Sequence, residues 1–67
     1  MIADAPFDRR RAAALALLNK PDARLSRRAG SFLGQTAVDA SPLSEAQAEW
    51  LGQLLAREGL TQIMEAR

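Results

Sequence analysis

The segment SRRAGSFLGQT, residues 26–36, combines residue types that suit contact with another molecule. Gly30 and Gly34 are four residues apart, so on a helix they lie one above the other on the same face. Each mid-helix glycine costs about 1 kcal/mol relative to alanine. Without Cβ atoms the pair leaves a flat strip that another backbone can approach closely, and Arg27 and Arg28 place positive charge at its edge.

Three kinds of contact would use this strip. We favour a crossing with the first or third helix inside the monomer. A contact with a protein partner, or with a second copy of the chain as a homodimer, is the next explanation. A direct approach to a nucleic-acid backbone is the third. The flanking arginines and the short apolar run exclude a membrane helix pair. The predicted partner-binding residues are Arg27, Arg28, Gly30 and Gly34.

The arginines are the alternative binding feature, since they could hold phosphates of nucleic acid and would then make binding strongly salt-dependent. No aromatic residue is interleaved with them, which argues against base stacking on single strands. Antiparallel packing would place the start of helix one near the end of helix two, which counts against a single patch, and a solvated charged surface remains the ordinary explanation. We expect Arg9 and Arg10 to point largely to solvent and the stem of Arg11 to follow the apolar edge. The candidate nucleic-acid-binding residues are Arg9, Arg10, Arg11, Arg24, Arg27 and Arg28.

Catalytic chemistry has few candidates in this sequence. The chain has no histidine, cysteine or tyrosine, so the commonest general base and the strongest nucleophile are missing. The acids are scattered, and a solvated helix face explains the i,i+4 pair Glu45 and Glu49. Zinc would lack its usual ligands, no acidic loop has calcium-site spacing, and the glycines lack a P-loop lysine. The sequence therefore predicts a non-enzyme with no catalytic residue, no metal, no cofactor and no small-molecule substrate.

Length and charge bound the class of protein. Sixty-seven residues make one small helical domain, residues 1–67, near the lower limit for folding on a core alone. Residues 1–28 hold seven cations against three acids, a balance of +4, whereas residues 29–67 hold two cations against five acids, a balance of −3. The two halves could attract each other or meet partners of opposite charge. No membrane span and no secretory signal is predicted, and the lack of cysteine suits a cytoplasmic protein.

Local signals predict three main helices and a terminal turn. The first helix begins at Pro6 or Asp8 and ends before Pro21, because a proline pushes its predecessor out of the α region. Ser26 is the predicted N-cap of the second helix. The third begins with a capping box, runs to about residue 58 and ends at a left-handed Gly59. A short turn, QIMEAR, follows. The capping box is formed by Ser44 and Gln47.

Short loops between these helices predict an all-α fold, a compact antiparallel bundle of three main helices plus a short C-terminal helical turn. We expect helix one to bury Phe7, Ala14, Leu15 and Leu18, and helix two to bury Ala29, Phe32, Leu33, Thr36 and Ala37. The predicted core is Phe7, Leu15, Leu18, Leu25, Phe32, Leu33, Val38, Leu43, Trp50, Leu51, Leu54, Leu55, Leu60 and Ile63.

Residues 31–60, SFLGQTAVDASPLSEAQAEWLGQLLAREGL, resemble small α-helical accessory proteins of bacterial phages and mobile elements. In that pattern a glycine-phenylalanine helix precedes a PLS-x-x-Q-x-x-W-L helix that ends in Gly-Leu. The matching motifs are helix caps and core positions and carry no functional residue. The resemblance implies an accessory protein of a class that includes DNA-binding regulators and protein inhibitors of host systems.

The combined prediction is a non-enzymatic binding module that acts through protein–protein contacts at the Gly30/Gly34 helix face. The alternative is a small DNA-binding regulator that uses the arginines of the first two helices.

Overall fold

Four helices and their connections make up the part of the chain that the computed structural model describes, which is residues 5–65, with side chains to residue 64. No β-strand occurs within that range. The predicted all-α fold of three main helices plus a short C-terminal one is therefore confirmed. The helices are α1 (Phe7–Asn19), α2 (Arg27–Val38), α3 (Glu45–Arg57) and α4 (Gln62–Glu65).

The helix starts follow the predicted capping signals. The Oγ of Ser26 accepts a hydrogen bond from the backbone N–H of Ala29 at 3.0 Å, and so satisfies one of the free donors of the first turn of α2. At the start of α3, Gln47 N–H donates to the Oγ of Ser44 at 3.1 Å, and the Gln47 side chain accepts from the N–H of Ser44 at 2.9 Å. Both halves of the predicted capping box are thus present.

A reversal at Gly59 ends α3. Its φ of 72° lies in the left-handed region, which a residue with a Cβ atom adopts only at a cost. The N–H of Leu60 donates to the carbonyl of Leu55 at 2.8 Å, and the N–H of Gly59 donates to the carbonyl of Ala56 at 3.3 Å. This pair of bonds is the Schellman motif, and it turns the chain back to begin α4.

The core lies between α1, α2 and α3 and is made largely of alanine and leucine. Leu17, Leu33, Leu51 and Leu55 are the largest fully buried side chains. The buried alanines are Ala13, Ala14, Ala29, Ala37 and Ala48. Around this cluster pack partly buried side chains, which are Leu25, Phe32, Leu43, Trp50, Leu60, Ile63 and Met64.

The predicted buried stripe of α1 was wrong in register. Arg10, Ala13, Ala14 and Leu17 are the buried residues of α1, whereas the predicted Leu15 and Leu18 are 36% and 39% exposed. The leucines of α1 project from several sides of the helix, so apolar periodicity alone does not select one buried stripe. The observed stripe is buried because its alanines allow α2 to approach closely and because Arg10 finds hydrogen-bond acceptors in the loop after α2.

Val38 was also expected in the core and is instead 80% exposed at the last position of α2. Phe7 is half-buried at the start of α1. No described helix is long and apolar enough to cross a membrane.

Candidate functional site

Gly30 and Gly34 face open space. A Cβ atom built on either residue would meet no other atom within 4 Å, apart from its own immediate surroundings on the helix. The favoured expectation, a helix crossing inside the monomer, was therefore wrong. The reason is that α2 turns a different stripe, which contains Ala29, Leu33 and Ala37, toward its neighbours. Small side chains on that stripe already allow close packing, so the glycines are left at its outer edge.

The register between α1 and α2 identifies what lies beside the glycines. The Nε of Arg11 donates to the carbonyl of Ala37 at 3.0 Å, so the start of α1 lies beside the end of α2 and the two helices are antiparallel. Leu15 and Leu18 follow Arg11 by four and seven residues and share its side of α1.

The hydrogen bond from Arg11 to the carbonyl of Ala37 also indicates which side of α2 lies next to α1. Gly34 and Gly30 precede Ala37 by three and seven residues, so they lie on the side of α2 that borders α1. Val38 follows Gly34 by four residues and extends the same line. We call this surface the glycine face; it consists of Leu15, Leu18, Gly30, Gly34 and Val38.

Charge along α2 runs against the helix dipole. Its first turn carries Arg27 and Arg28 and no acid, and its last turn carries no base. The C-cap is Asp39, an exposed acid. A helix dipole disfavours a cation at the N-terminus or an anion at the C-terminus by about 0.3–1 kcal/mol each in exposed positions. This arrangement is unfavourable for an isolated α2.

Asp39 keeps its charge despite this position. Its Oδ1 accepts from the backbone N–H of Ser41 at 2.9 Å. This bond, then the side-chain hydroxyl of Ser41, and to a smaller extent the positive charge of Arg10, hold the pKa of Asp39 below its ordinary value. The charged carboxylate is thus already stabilised by partners inside the monomer.

The two arginines of the first turn diverge. The guanidinium of Arg28 lies over the ring of Trp50, 5.6 Å from its centroid, and Trp50 stacks on Phe32 with centroids 4.6 Å apart and planes 11° apart. Arg28 is thereby directed toward α3. Arg27 is three residues before Gly30 and seven before Gly34, so it lies on the glycine side of α2. Of the predicted partner-binding residues, the structure groups Arg27 with the two glycines and separates Arg28 from them.

The arginines of the first helix bind the chain's own backbone. Arg10 is only 5% exposed, so the expectation that it points to solvent was wrong. Its Nη1 donates to the carbonyl of Ser41 at 3.0 Å and its Nη2 to the carbonyl of Ala40 at 3.4 Å. The guanidinium also lies 5.8 Å from the centroid of the Phe7 ring. Its Nε has no hydrogen-bond partner among the described residues.

Arg9 and Arg11 make similar contacts with other elements. Arg11 binds the end of α2 as described above, and the Nη1 of Arg9 reaches the carbonyl of Met64 in α4 at 3.5 Å. Arg9 is half-buried rather than pointing freely to solvent. The triplet thus joins α1 to three other parts of the molecule, because each guanidinium donates to free carbonyls at a helix end or in a loop.

The remaining basic residues divide between internal contacts and the surface. Lys20 Nζ lies 2.6 Å from Asp22 Oδ1 and 3.5 Å from Glu58 Oε1, which raises the pKa of Lys20 chiefly through the Asp22 bond. Arg57 Nη2 donates to the carbonyl of Arg24 at 2.6 Å. Among these contacts one ion pair, Lys20–Glu58, joins the basic half of the chain to the acidic half. Of the six candidates for nucleic-acid binding, four are exposed, namely Arg11, Arg24, Arg27 and Arg28, and the Nε of Arg11 is already bonded to the carbonyl of Ala37.

Sequence reasoning placed three members of the glycine face, Leu15, Leu18 and Val38, in the core. The signal that could have excluded the two leucines is the second apolar stripe of the first helix, Ala13, Ala14 and Leu17. Arg10 occupies the next position of that stripe and made it look too polar to be buried. Val38 lies at the end of its helix, where periodicity does not decide burial.

No family model, no curated protein and no solved structure matches this chain. The resemblance of residues 31–60 to small phage and mobile-element proteins stays a prediction.

Proposed function

We propose that this chain is a non-enzymatic binding module that docks a protein on the glycine face. The observation that carries the proposal is the open space above Gly30 and Gly34. Two mid-helix glycines cost α2 about 2 kcal/mol together relative to alanine, and no packing inside the described monomer requires them. A backbone or small side chains from another protein would fill that space.

The chemistry of the face favours a protein over nucleic acid. Leu15, Leu18 and Val38 present apolar surface next to the glycines, and contiguous exposed apolar surface is typical of protein interfaces. Arg10 argues against the alternative, a DNA-binding regulator, because the buried guanidinium of Arg10 is already bonded to two backbone carbonyls. A phosphate-binding surface would have to rely chiefly on the exposed Arg11, Arg24, Arg27 and Arg28.

The proposed setting follows the sequence resemblance. We place the chain among accessory proteins of phages or mobile elements, acting in the cytoplasm on a protein partner or as a homodimer. The composition of the cysteine-free chain and the pattern of residues 31–60 support this setting.

Site-specific photo-crosslinking in the native host tests the docking face. A benzophenone amino acid replaces Val38 on the face, and in a matched control it replaces Gln53, an exposed residue of α3. We expect a protein adduct from position 38 and none from position 53. The adduct should disappear when Gly34→Leu is added, because the leucine side chain fills the open space while favouring the helix. Mass spectrometry then identifies the partner.

Two results would contradict the proposal. One is the lack of any protein adduct at position 38 while the chain is folded by circular dichroism. The other is an adduct that forms equally at position 53, or that survives Gly34→Leu. An adduct to DNA with a salt-sensitive yield would support the alternative function.

A further inference from the structure

We infer that the chain also binds single-stranded nucleic acid, on the side of α2 that faces α3. This inference goes beyond the proposed protein docking, which uses the glycine side of the same helix. Three exposed arginines and two partly exposed aromatic residues form what we call the arginine–aromatic surface. Its members are Arg24, Arg28, Phe32, Trp50 and Arg57.

Two guanidinium groups of this surface have donors that the monomer does not use. Among the described residues, Arg24 is bonded only through its backbone, whose N–H donates to Glu58 and whose carbonyl accepts from Arg57. The guanidinium of Arg28 contacts only the ring of Trp50 there. The arginines at the start of α1, by contrast, all donate to backbone carbonyls. A guanidinium has five N–H donors in a fork that matches phosphate, so Arg24 and Arg28 are suited to bind a phosphate backbone.

Aromatic rings lie directly beside these donors. Trp50 stacks on Phe32 with centroids 4.6 Å apart, and the guanidinium of Arg28 lies 5.6 Å from the centroid of Trp50. Unpaired bases stack on aromatic rings and on arginine guanidinium planes. The sequence argued against base stacking because no aromatic residue lies among the arginines. The packing of α3 against α2 supplies the missing ring.

The surface is continuous along the line where α2 meets α3. The bond from Arg57 Nη2 to the carbonyl of Arg24, at 2.6 Å, places the end of α3 beside the start of α2. Trp50 precedes Arg57 by seven residues and so shares its side of α3, about 10 Å away along the helix. An extended strand lying along this line would meet phosphate donors at one end and rings at the other.

The charge of this region favours a polyanion. Residues 20–28 hold four cations against one acid, a balance of +3. Glu58 lies within the region, but its side chain is only 9% exposed and lies 3.5 Å from Lys20 Nζ and 3.6 Å from Arg57 Nε. Its negative charge is therefore neutralised inside the molecule, whereas the charges of Arg24 and Arg28 face solvent.

A single strand uses this surface more fully than a duplex or an acidic protein would. In a duplex the faces of the bases are stacked on one another and closed to the rings. The carboxylates of an acidic protein would pair with the arginines but would leave the rings unused. Only a single strand offers phosphates and free base faces together.

Fluorescence of Trp50, the only tryptophan in the chain, tests the stacking directly in the unmodified protein. The probe is a labelled thymidine 20-mer at about 50 mM salt, and its anisotropy measures binding. The matched control is an abasic oligomer with the same number of phosphates. We expect the thymidine oligomer to bind and quench Trp50. The abasic oligomer should bind at least about fivefold more weakly and leave the fluorescence unchanged, because it has no bases to stack.

Two matched variants test the arginines. Arg28→Gln should weaken binding of the thymidine oligomer at least about fivefold and reduce the slope of log K against log salt by about 0.7, the contribution of one phosphate contact to a single strand. Arg27→Gln removes an equally exposed charge from the same turn but on the glycine side, and should change both quantities less than half as much. Neither variant should unfold the chain, because a neutral residue in the first turn relieves an unfavourable charge.

Several results would overturn the inference. They are no binding at low salt, binding without quenching of Trp50, and equally tight binding of the abasic oligomer. Equal losses in the two arginine variants would assign the binding to overall charge. Tighter binding of the corresponding duplex would favour the DNA-binding alternative instead, and tighter binding of a glutamate 20-mer would favour an acidic protein.

Discussion

At the scale of single residues, Arg10 has the least expected role. A charged residue in an alanine-rich helix looks exposed in the sequence, yet its guanidinium is buried and holds the carbonyls of Ala40 and Ser41. These carbonyls lie just after α2, where the chain has left the helix and needs donors. The buried charge is tolerated because it is hydrogen-bonded, and because its stem lies along the apolar stripe of α1.

We predict that Arg10→Met destabilises the protein by about 1–3 kcal/mol, since methionine keeps the apolar stem but leaves two carbonyls without a donor. Arg24→Ala should change the free energy of unfolding by less than about 0.5 kcal/mol, because that side chain is exposed. Urea unfolding followed by Trp50 fluorescence measures both. An Arg10→Met protein more stable than the wild type would mean that burying the charge costs more than its hydrogen bonds contribute.

At the scale of the element, α2 combines a sound N-cap with an interior that weakens the helix. Ser26 stabilises the first turn, but the two glycines and the reversed charge order oppose the helix. Its stability in the monomer therefore comes from packing of its buried stripe against α1. On its exposed side, a Cβ atom added at Gly30 or Gly34 would meet open space.

We predict that Gly30→Ala and Gly34→Ala each stabilise the monomer by about 0.5–1 kcal/mol, because the helix gains propensity and the new Cβ meets open space. Gly59→Ala should destabilise it by about 1 kcal/mol, although its surroundings are equally open, because its φ of 72° disfavours a Cβ atom. Thermal unfolding at a dilute, monomeric concentration separates the two cases. Loss of stability in either α2 variant would show that the helix has an unseen neighbour at that site.

At the scale of the whole molecule, the packing depends on close approach of α1 and α2 through small side chains. Ala13, Ala14 and Leu17 on α1 and Ala29 and Ala37 on α2 are all buried in one cluster. The arginine triplet then joins α1 to α2, α4 and the loop before α3. This arrangement decides which leucines of α1 are inside and which remain on the glycine face.

We predict that Leu17→Ala costs about 2–5 kcal/mol, because it empties a fully buried site. Leu15→Ala should cost less than about 1 kcal/mol, since the side chain is 36% exposed and its loss opens no enclosed cavity. Chemical unfolding at one dilute concentration compares the two variants. Equal losses would show that both leucines are buried and that the observed register of α1 is incorrect.

The sequence by itself determined the helices, because caps and breakers act over a few neighbouring residues. Ser26, the Ser44 capping box and Gly59 lie where their local chemistry predicts. Only the tertiary structure decided the faces of α1, the burial of Arg10 and the open position of the glycines. Those depend on which carbonyls and which small side chains the antiparallel packing of α1 and α2 brings together, and that information is spread over residues far apart in the chain.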